Sequence, residues 1–234
     1  MRQVFSIFRK EFLAYFTSPI AYIVIAIFLL VTGWFFFSTF FLFNQASLRN
    51  FFRLLPIVFA FVVPAVTMRQ FAEELNIGSY ETLMTLPVRF TDVVLGKFLA
   101  SSAFVAAMLV PTLAYPGIVA FLGELDGGPV IGGYLGALLL GAAFSAVGLF
   151  SSALTRNQIV AFIIGMSICF GLCLVDQMVF FLPQVLLKPL AYLAADVHFE
   201  NIARGVVDTR DIVYFASICF IGLYATFLAL KAKN

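Results

Sequence analysis

The sequence predicts an all-α integral membrane protein with six transmembrane helices, on three observations. Sixty-three per cent of the 234 residues are hydrophobic and 11% are charged, where a soluble domain carries about 25% charge. The mean hydropathy is +1.07. The apolar residues are gathered into runs of membrane-crossing length, and two of these carry small residues at four-residue steps, the pattern that lets helices pack closely in lipid. Six spans of about 20 residues occupy roughly half of the chain and leave little for a soluble catalytic domain, so residues 1–234 are read as one transmembrane domain. The net charge of +2 comes from scattered Lys and Arg, and no nucleic-acid partner is implied.

From the N-terminus, Val4, Phe8, Phe12 and Tyr15 or Phe16 recur at helical spacing with Arg2, Arg9, Lys10 and Glu11 on other faces. This predicts a helix within residues 1–18 lying in the membrane interface, or else the start of a long first span. Ser18–Pro19 supplies an N-cap and a proline at the first helical position for a new helix there. The first span is then Ile20 to Phe43. Its Trp34, Phe35, Phe36, Phe37, Phe40, Phe41 and Phe43 either face acyl chains and pack, or line a lipid-like path.

The second span, Leu54 to Thr67, is short for a bilayer and contains Pro56 and Pro64, which predicts a kink or an extension upstream past Arg53. The third, Phe98 to Leu122, is interrupted by Pro111 and Pro116, and GELDGGP at 123–129 is a tight acidic turn. The fourth, Val130 to Leu154, carries Gly133, Ala137, Gly141 and Ser145 on one face. The fifth, Ile159 to Val175, carries Ala161, Gly165, Cys169 and Cys173. These stripes predict packing seams, within the subunit or across a dimer. Pro183 and Pro189, with Lys188, Asp196 and Glu200, break the segment 176–211 into short outer-side helices, one of them capped by Asp196 and closed at Gly205. The sixth span runs from Ile212 to Leu230. The three cysteines, all in apolar runs, are read as small packing residues with no disulfide framework.

Between the second and third spans, residues 69–97 crowd Arg69, Glu73, Glu74, Glu81, Arg89, Asp92 and Lys97 together. Arg69 to Asn76 reads as a short helix stopped at Gly78, and Ser79 as the N-cap of a second one over Tyr80 to Thr85. Pro87 ends that second turn, and Thr91 with Asp92 caps the next span. Nine of the fourteen Lys and Arg (2, 9, 10, 69, 89, 97, 156, 231 and 233) fall on the side of this loop and of both termini, against five (49, 53, 188, 204 and 210) on the other. The positive-inside rule therefore predicts a cytoplasmic loop and cytoplasmic termini.

Chemistry is sparse. One histidine, His198, is read as a surface or capping imidazole and makes no metal site without further ligands. Glu73 and Glu74 are adjacent and point different ways on a helix, which suits solvation or docking better than acid–base work. Gly96–Lys97 lacks the glycine spacing of a phosphate-cradling loop. No assigned span carries a charge at its middle, against the habit of ion-coupled transporters. A membrane enzyme finds no convergent polar residues at depth, and the chain is expected to be non-catalytic.

Arg69, the Phe71–Ala72–Glu73–Glu74 run, Gly78–Ser79, Glu81, Leu83, Thr85, Pro87 and Gly96–Lys97 resemble the first cytoplasmic loop of ABC-2-type transporter permeases. Arg9–Lys10–Glu11 and the six-span layout extend the likeness over the whole chain. Asn76–Ile77 stands where the family often has basic residues. HFENIARGVVDTRDIVY, 198–214, resembles the gliding-motility-type branch. The resemblance implies a bacterial inner-membrane permease subunit, paired with a second copy or a different permease and served by two ATPase subunits that hold ATP and Mg, with no cofactor in this chain. It also implies that the coupling-helix residues Arg69, Glu73, Glu74, Gly78, Glu81, Thr85 and Pro87 contact the ATPase. The substrate stays open. The alternative is a mechanotransmitting or anchoring complex that acts on an outer-side protein through Lys188, His198, Glu200 and Arg204.

Overall fold

The computed structural model describes residues 2–43, 47–79, 89–123, 125–178 and 192–233, with backbone alone at 2, 39–43 and 176–178. All of its regular elements are helical: α1 (Arg2–Thr17), α2 (Pro19–Phe43), α3 (Arg49–Thr67), α4 (Arg69–Ile77), α5 (Phe90–Leu109), a 3₁₀ turn (Val110–Leu113), α6 (Ala114–Leu122), α7 (Gly127–Leu154), α8 (Gln158–Met178), α9 (Ala195–Ala203) and α10 (Thr209–Lys231). Six stretches among the described residues are long and apolar enough to cross a bilayer: 19–38, 49–77, 90–122, 127–154, 158–175 and 209–231.

The chain is organised around α7, which packs against α3, α4, α5, α8, α9 and α10. It can do so because glycine, alanine and serine recur along its length at the points where other helices meet it. A methyl at Gly133 would run into the Phe52 ring, one at Gly141 would come to 2.6 Å from Val105 Cγ1, and one at Gly148 would collide with the Thr67 hydroxyl. Without water to drive helices together, such close backbone approach and the dispersion contacts it permits supply the association. On α8, a methyl at Gly165 would lie 2.7 Å from Ser151 Oγ and 3.3 Å from Pro64 Cβ. All seven stripe residues, Gly133, Ala137, Gly141, Ser145, Ala161, Gly165 and Cys169, are buried within the single chain. Of the two packing alternatives that the spacing allows, internal seams are what this geometry presents, and none of the seven is open to a second copy.

The prolines act where they fall. The second span extends upstream to Arg49 with Pro56 and Pro64 inside it, and Cys173 Sγ lies 3.7 Å from the Pro56 carbonyl. Pro111 tightens the third span into its 3₁₀ turn before α6 resumes. Ser18 accepts from the Ile20 amide at 3.4 Å, so α1 and α2 are separate helices joined at one residue. α2 is peripheral, packing on α3 and α1. Its aromatics divide: Phe28 and Phe36 are buried, with Phe36 stacked on Tyr115 at 4.8 Å, whereas Trp34 and Phe35 face outward.

Two local expectations need correction. Thr91 and Asp92 do not cap α5, because the helix already begins at Phe90 and leaves Asp92 in its first turn, where a carboxylate favours the positive end of the helix dipole. Asp196 likewise sits inside the first turn of α9, whose N-cap is Ala194. The fifth span ends at Val175 as expected, although its helix runs on to Met178. Asp126 and Asp208 do cap α7 and α10, through the Gly128 and Arg210 amides. Gly78 and Gly205 end α4 and α9 at φ +76° and +88°, a region that side-chain-bearing residues rarely adopt. At the chain's end Lys233 Nζ donates to the Ala153 and Leu154 carbonyls, at 2.8 and 3.1 Å, and so satisfies the last turn of α7.

Candidate functional site: a lysine clamp beneath the bundle

α4 is not a free knob. Met68 keeps helical dihedrals (φ −53°, ψ −30°), so α4 continues from α3 with only a one-residue break. Gln70, Phe71, Ala72 and Leu75 are buried against the bundle, and Arg69, Asn76 and Ile77 are exposed. Arg69, half-buried Glu73, Asn76 and Ile77 fall at i, i+4, i+7 and i+8 and form one outward stripe. The first turn is held from α7: the amides of Phe71 and Ala72 both donate to Ser152 Oγ at 3.0 Å, and that hydroxyl donates on to the Met68 carbonyl at 2.8 Å. One serine thereby satisfies two helix-start amides that α4 cannot satisfy for itself.

The second attachment is ionic. Lys97 projects from the inner face of α5 with 2% of its side chain exposed, and its ammonium donates to Glu74 Oε1 and to the Gln70 carbonyl, both at 2.7 Å. Glu11 of α1 lies 3.4 Å away, and the Phe71 ring 5.1 Å away supplies a cation–π contact. The ammonium's three protons are thus directed at α1 and α4 while its stem stays in α5. The neighbouring glycine explains how α1 comes so near: a methyl at Gly96 would come to 2.7 Å from Ile7 Cγ2 and 3.2 Å from the Val4 carbonyl. Gly96 is the notch in which α1 crosses α5, and Lys97 is the pin beside it. Tyr15 adds a neutral link, accepting from Gln70 Nε2 at 2.5 Å and stacking on Phe104 at 4.8 Å. Burial raises the Tyr15 phenol well above its usual range, so it does not ionise.

The positions expected for ATPase contact therefore separate. Glu74 is half-buried and its Oε1 is engaged by Lys97. Arg69 is exposed and donates through Nε to Gln158 Oε1 at the start of α8, at 3.1 Å. Glu73 makes no ion pair among the described residues. Gly78 closes α4. Glu81, Thr85 and Pro87 lie outside the described residues, as does the second short helix. Lys97 also leaves the polar loop for the interior of α5, which correspondingly begins well before Phe98. Sequence reasoning gave Gln70 and Ser152 no role and placed Glu11 and Tyr15 on the N-terminal helix without linking them to Lys97 or α4.

At the opposite end, His198 is not a surface group but 4% exposed. Its Nδ1 lies 2.6 Å from Asp211 Oδ1 of α10 and its Nε2 3.1 Å from the Tyr192 carbonyl. The carbonyl can only accept, so Nε2 is the donor to it while Nδ1 pairs with the aspartate. Tyr214 stacks on the imidazole at 4.1 Å and donates to the Leu193 carbonyl at 2.6 Å. The cluster staples α9 and residues 192–193 to α10. Glu200 and Arg204 pair with each other at 2.7 Å on the exposed face of α9, and Lys188 lies outside the described residues. Among the described residues no group of three or more His, Cys, Asp or Glu could hold a metal.

No protein-family model matches the chain, and no curated protein matches it.

Proposed function

We propose that this chain is the permease subunit of an ATP-driven transporter of the ABC-2 type, working as one of two membrane subunits with two ATPase subunits on the cytoplasmic side. In this reading the segment 69–89 is the coupling element, the termini are cytoplasmic, and the membrane is the bacterial inner membrane. The supporting observation is the clamp. α4 offers the stripe Arg69, Glu73, Asn76 and exposed Ile77 outward, while Ser152 and Lys97 bind its other side to α7, α5 and α1. A helix fastened in this way passes a displacement to three elements at once, because packed interiors shift as units and do not absorb strain locally. The segment also joins α4 to α5 in the chain, so a load applied between them pulls on both. ATP and Mg belong to the partner, and this chain contributes no catalytic group.

Purification of the tagged full chain from its native membrane is expected to retain an ATP-hydrolysing subunit in equal number. Retention of an outer-side protein without any ATPase would replace this reading with the anchoring one.

A further inference from the structure

At the end of the spans opposite the clamp, a cavity of about 280 Å³ lies between the start of α3 and α9. Arg49, Asn50 and Arg53 line it from α3, and Asp196, Glu200 and Arg204 from α9. Arg49 and Arg53 are exposed, face the cavity one helical turn apart and make no ion pair among the described residues. Across from them Glu200 is taken by Arg204 at 2.7 Å, and Asp196 offsets one arginine at most. Asp126, Asp208 and Asp211 are engaged by the Gly128 amide, the Arg210 amide and His198, and none of them lines the cavity. Its described lining therefore holds an excess of one positive charge. The helix itself adds to that excess: Arg49 opens α3 at the positive end of its dipole, and no acidic residue stands in the first turn to offset it. Further along, the ridge turns apolar. Arg49, Arg53, Ile57 and Phe61 follow one another at four-residue steps, with Ile57 44% and Phe61 52% exposed. The membrane-crossing stretch 49–77 begins at Arg49, so the arginines stand at headgroup depth and the ridge runs from there into the acyl region. From Arg49 to Phe61 it covers about 18 Å along the axis, a little more than the roughly 15 Å of hydrocarbon in one leaflet.

We infer that this cavity binds the phosphodiester of an anionic membrane phospholipid, with Arg49 and Arg53 as its donors and an acyl chain lying along Ile57 and Phe61. Two guanidiniums one turn apart present forked N–H donors to the phosphate oxygens, a match that a lysine ammonium does not reproduce. Asn50 adds an amide donor from the same turn. A phosphodiester carries one negative charge, which is the excess that the lining holds. A lipid with an uncharged head beyond its phosphate, such as phosphatidylglycerol, brings the balance to zero. The quaternary ammonium of phosphatidylcholine restores the excess next to three arginines and has no proton to give to Asp196 or Glu200. The cavity has room for a head group and not for acyl chains, which stay on the ridge outside it. This site does not depend on ATP coupling and stands whether or not an ATPase binds.

The test uses the purified, delipidated full chain in detergent, titrated with dioleoyl phosphatidylglycerol or dioleoyl phosphatidylcholine while bound lipid is counted by native mass spectrometry. Phosphatidylglycerol is expected to bind about tenfold more tightly, the worth of a charge-assisted hydrogen bond, and to raise the melting temperature. Arg49→Gln/Arg53→Gln should erase both effects without lowering the melting temperature of the lipid-free protein, because the two side chains are exposed and make no ion pair among the described residues. Asn50→Trp, at an exposed position in the lining, should block binding while keeping every charge. Arg210→Gln removes an exposed arginine of the same end that lies outside the cavity, and should leave the preference intact. Displacement of the bound lipid by millimolar inorganic phosphate would give the site to a soluble phosphate and overturn the lipid assignment. Equal binding of the two lipids, a preference that survives Arg49→Gln/Arg53→Gln, or one that falls as far with Arg210→Gln overturns the inference.

Discussion

Lys97→Met is expected to destabilise the protein by about 3–5 kcal/mol, the usual result of removing one partner from a buried ion pair. The cost does not lie mainly in the lost attraction, which desolvation of the charges largely offsets. It lies in what remains: Glu74 loses its only cation among the described residues, Glu11 keeps only the exposed Lys10 at 3.7 Å, and the Gln70 carbonyl loses its donor. The double substitution Lys97→Met/Glu74→Gln should therefore recover much of the loss, since it removes the orphaned charge along with its partner. Lys97→Arg is a poor substitute, because the wider guanidinium must fit where Gly96 holds α1 close. Thermal unfolding of the purified variants checks this, with membrane accumulation as a second readout. Wild-type stability for Lys97→Met would mean that the clamp carries no load.

His198→Ala should cost a similar amount, again about 3–5 kcal/mol, because Asp211, 2% exposed, would keep its carboxylate with no imidazole beside it. The Tyr192 carbonyl would lose its donor too, and the stacking on Tyr214 would go with it. His198→Leu/Asp211→Leu fills the same space without a buried charge and should regain most of the stability. Because α9 is held to α10 through this cluster, the single variant should also open residues 192–203 to protease before the spans themselves unfold. Unchanged melting and unchanged cleavage of His198→Ala would show that the apolar contacts of Phe199 and Ile202 suffice to hold α9.

The spans were legible because composition decides them: apolar runs of bilayer length have few other fates, and glycine stripes on α7 and α8 announce close packing whatever the partner helix. The left-handed glycines that close α4 and α9 were equally readable, since few other residues stop a helix that way. What the sequence hid was the inside of the charged loop. Arg69 and Glu73 made Met68 look like a boundary, yet the helix runs on because the buried face, Gln70, Phe71, Ala72 and Leu75, continues the packing of α3 on α7. Lys97 was misplaced for the opposite reason. A lysine next to an apolar run looks like its edge, but Val93, Val94, Lys97, Ala100, Ser101, Phe104 and Met108 share one helical face, and counting back along that face from Met108 would have put the lysine in the core. Its partners could not be found by spacing at all, since Glu11 lies 86 residues away in the chain. His198 was obscure in the same way: a lone histidine with polar neighbours reads as exposed until Asp211, thirteen residues on, is seen to fold back against it.

The proposed role of the segment between α4 and α5 is to transmit ATP hydrolysis to the spans. The most direct measurement is ATP turnover by the complete complex in nanodiscs, wild type against Glu81→Lys, together with the amount of ATPase retained. Exposed carboxylates on an unpartnered loop are worth about 0–1 kcal/mol, so a charge reversal there should be silent unless the residue meets a partner. Coupling predicts that Glu81→Lys inserts and accumulates normally but loses the ATPase or leaves its turnover unresponsive to the permease. Wild-type turnover and full retention of the ATPase by Glu81→Lys would contradict it.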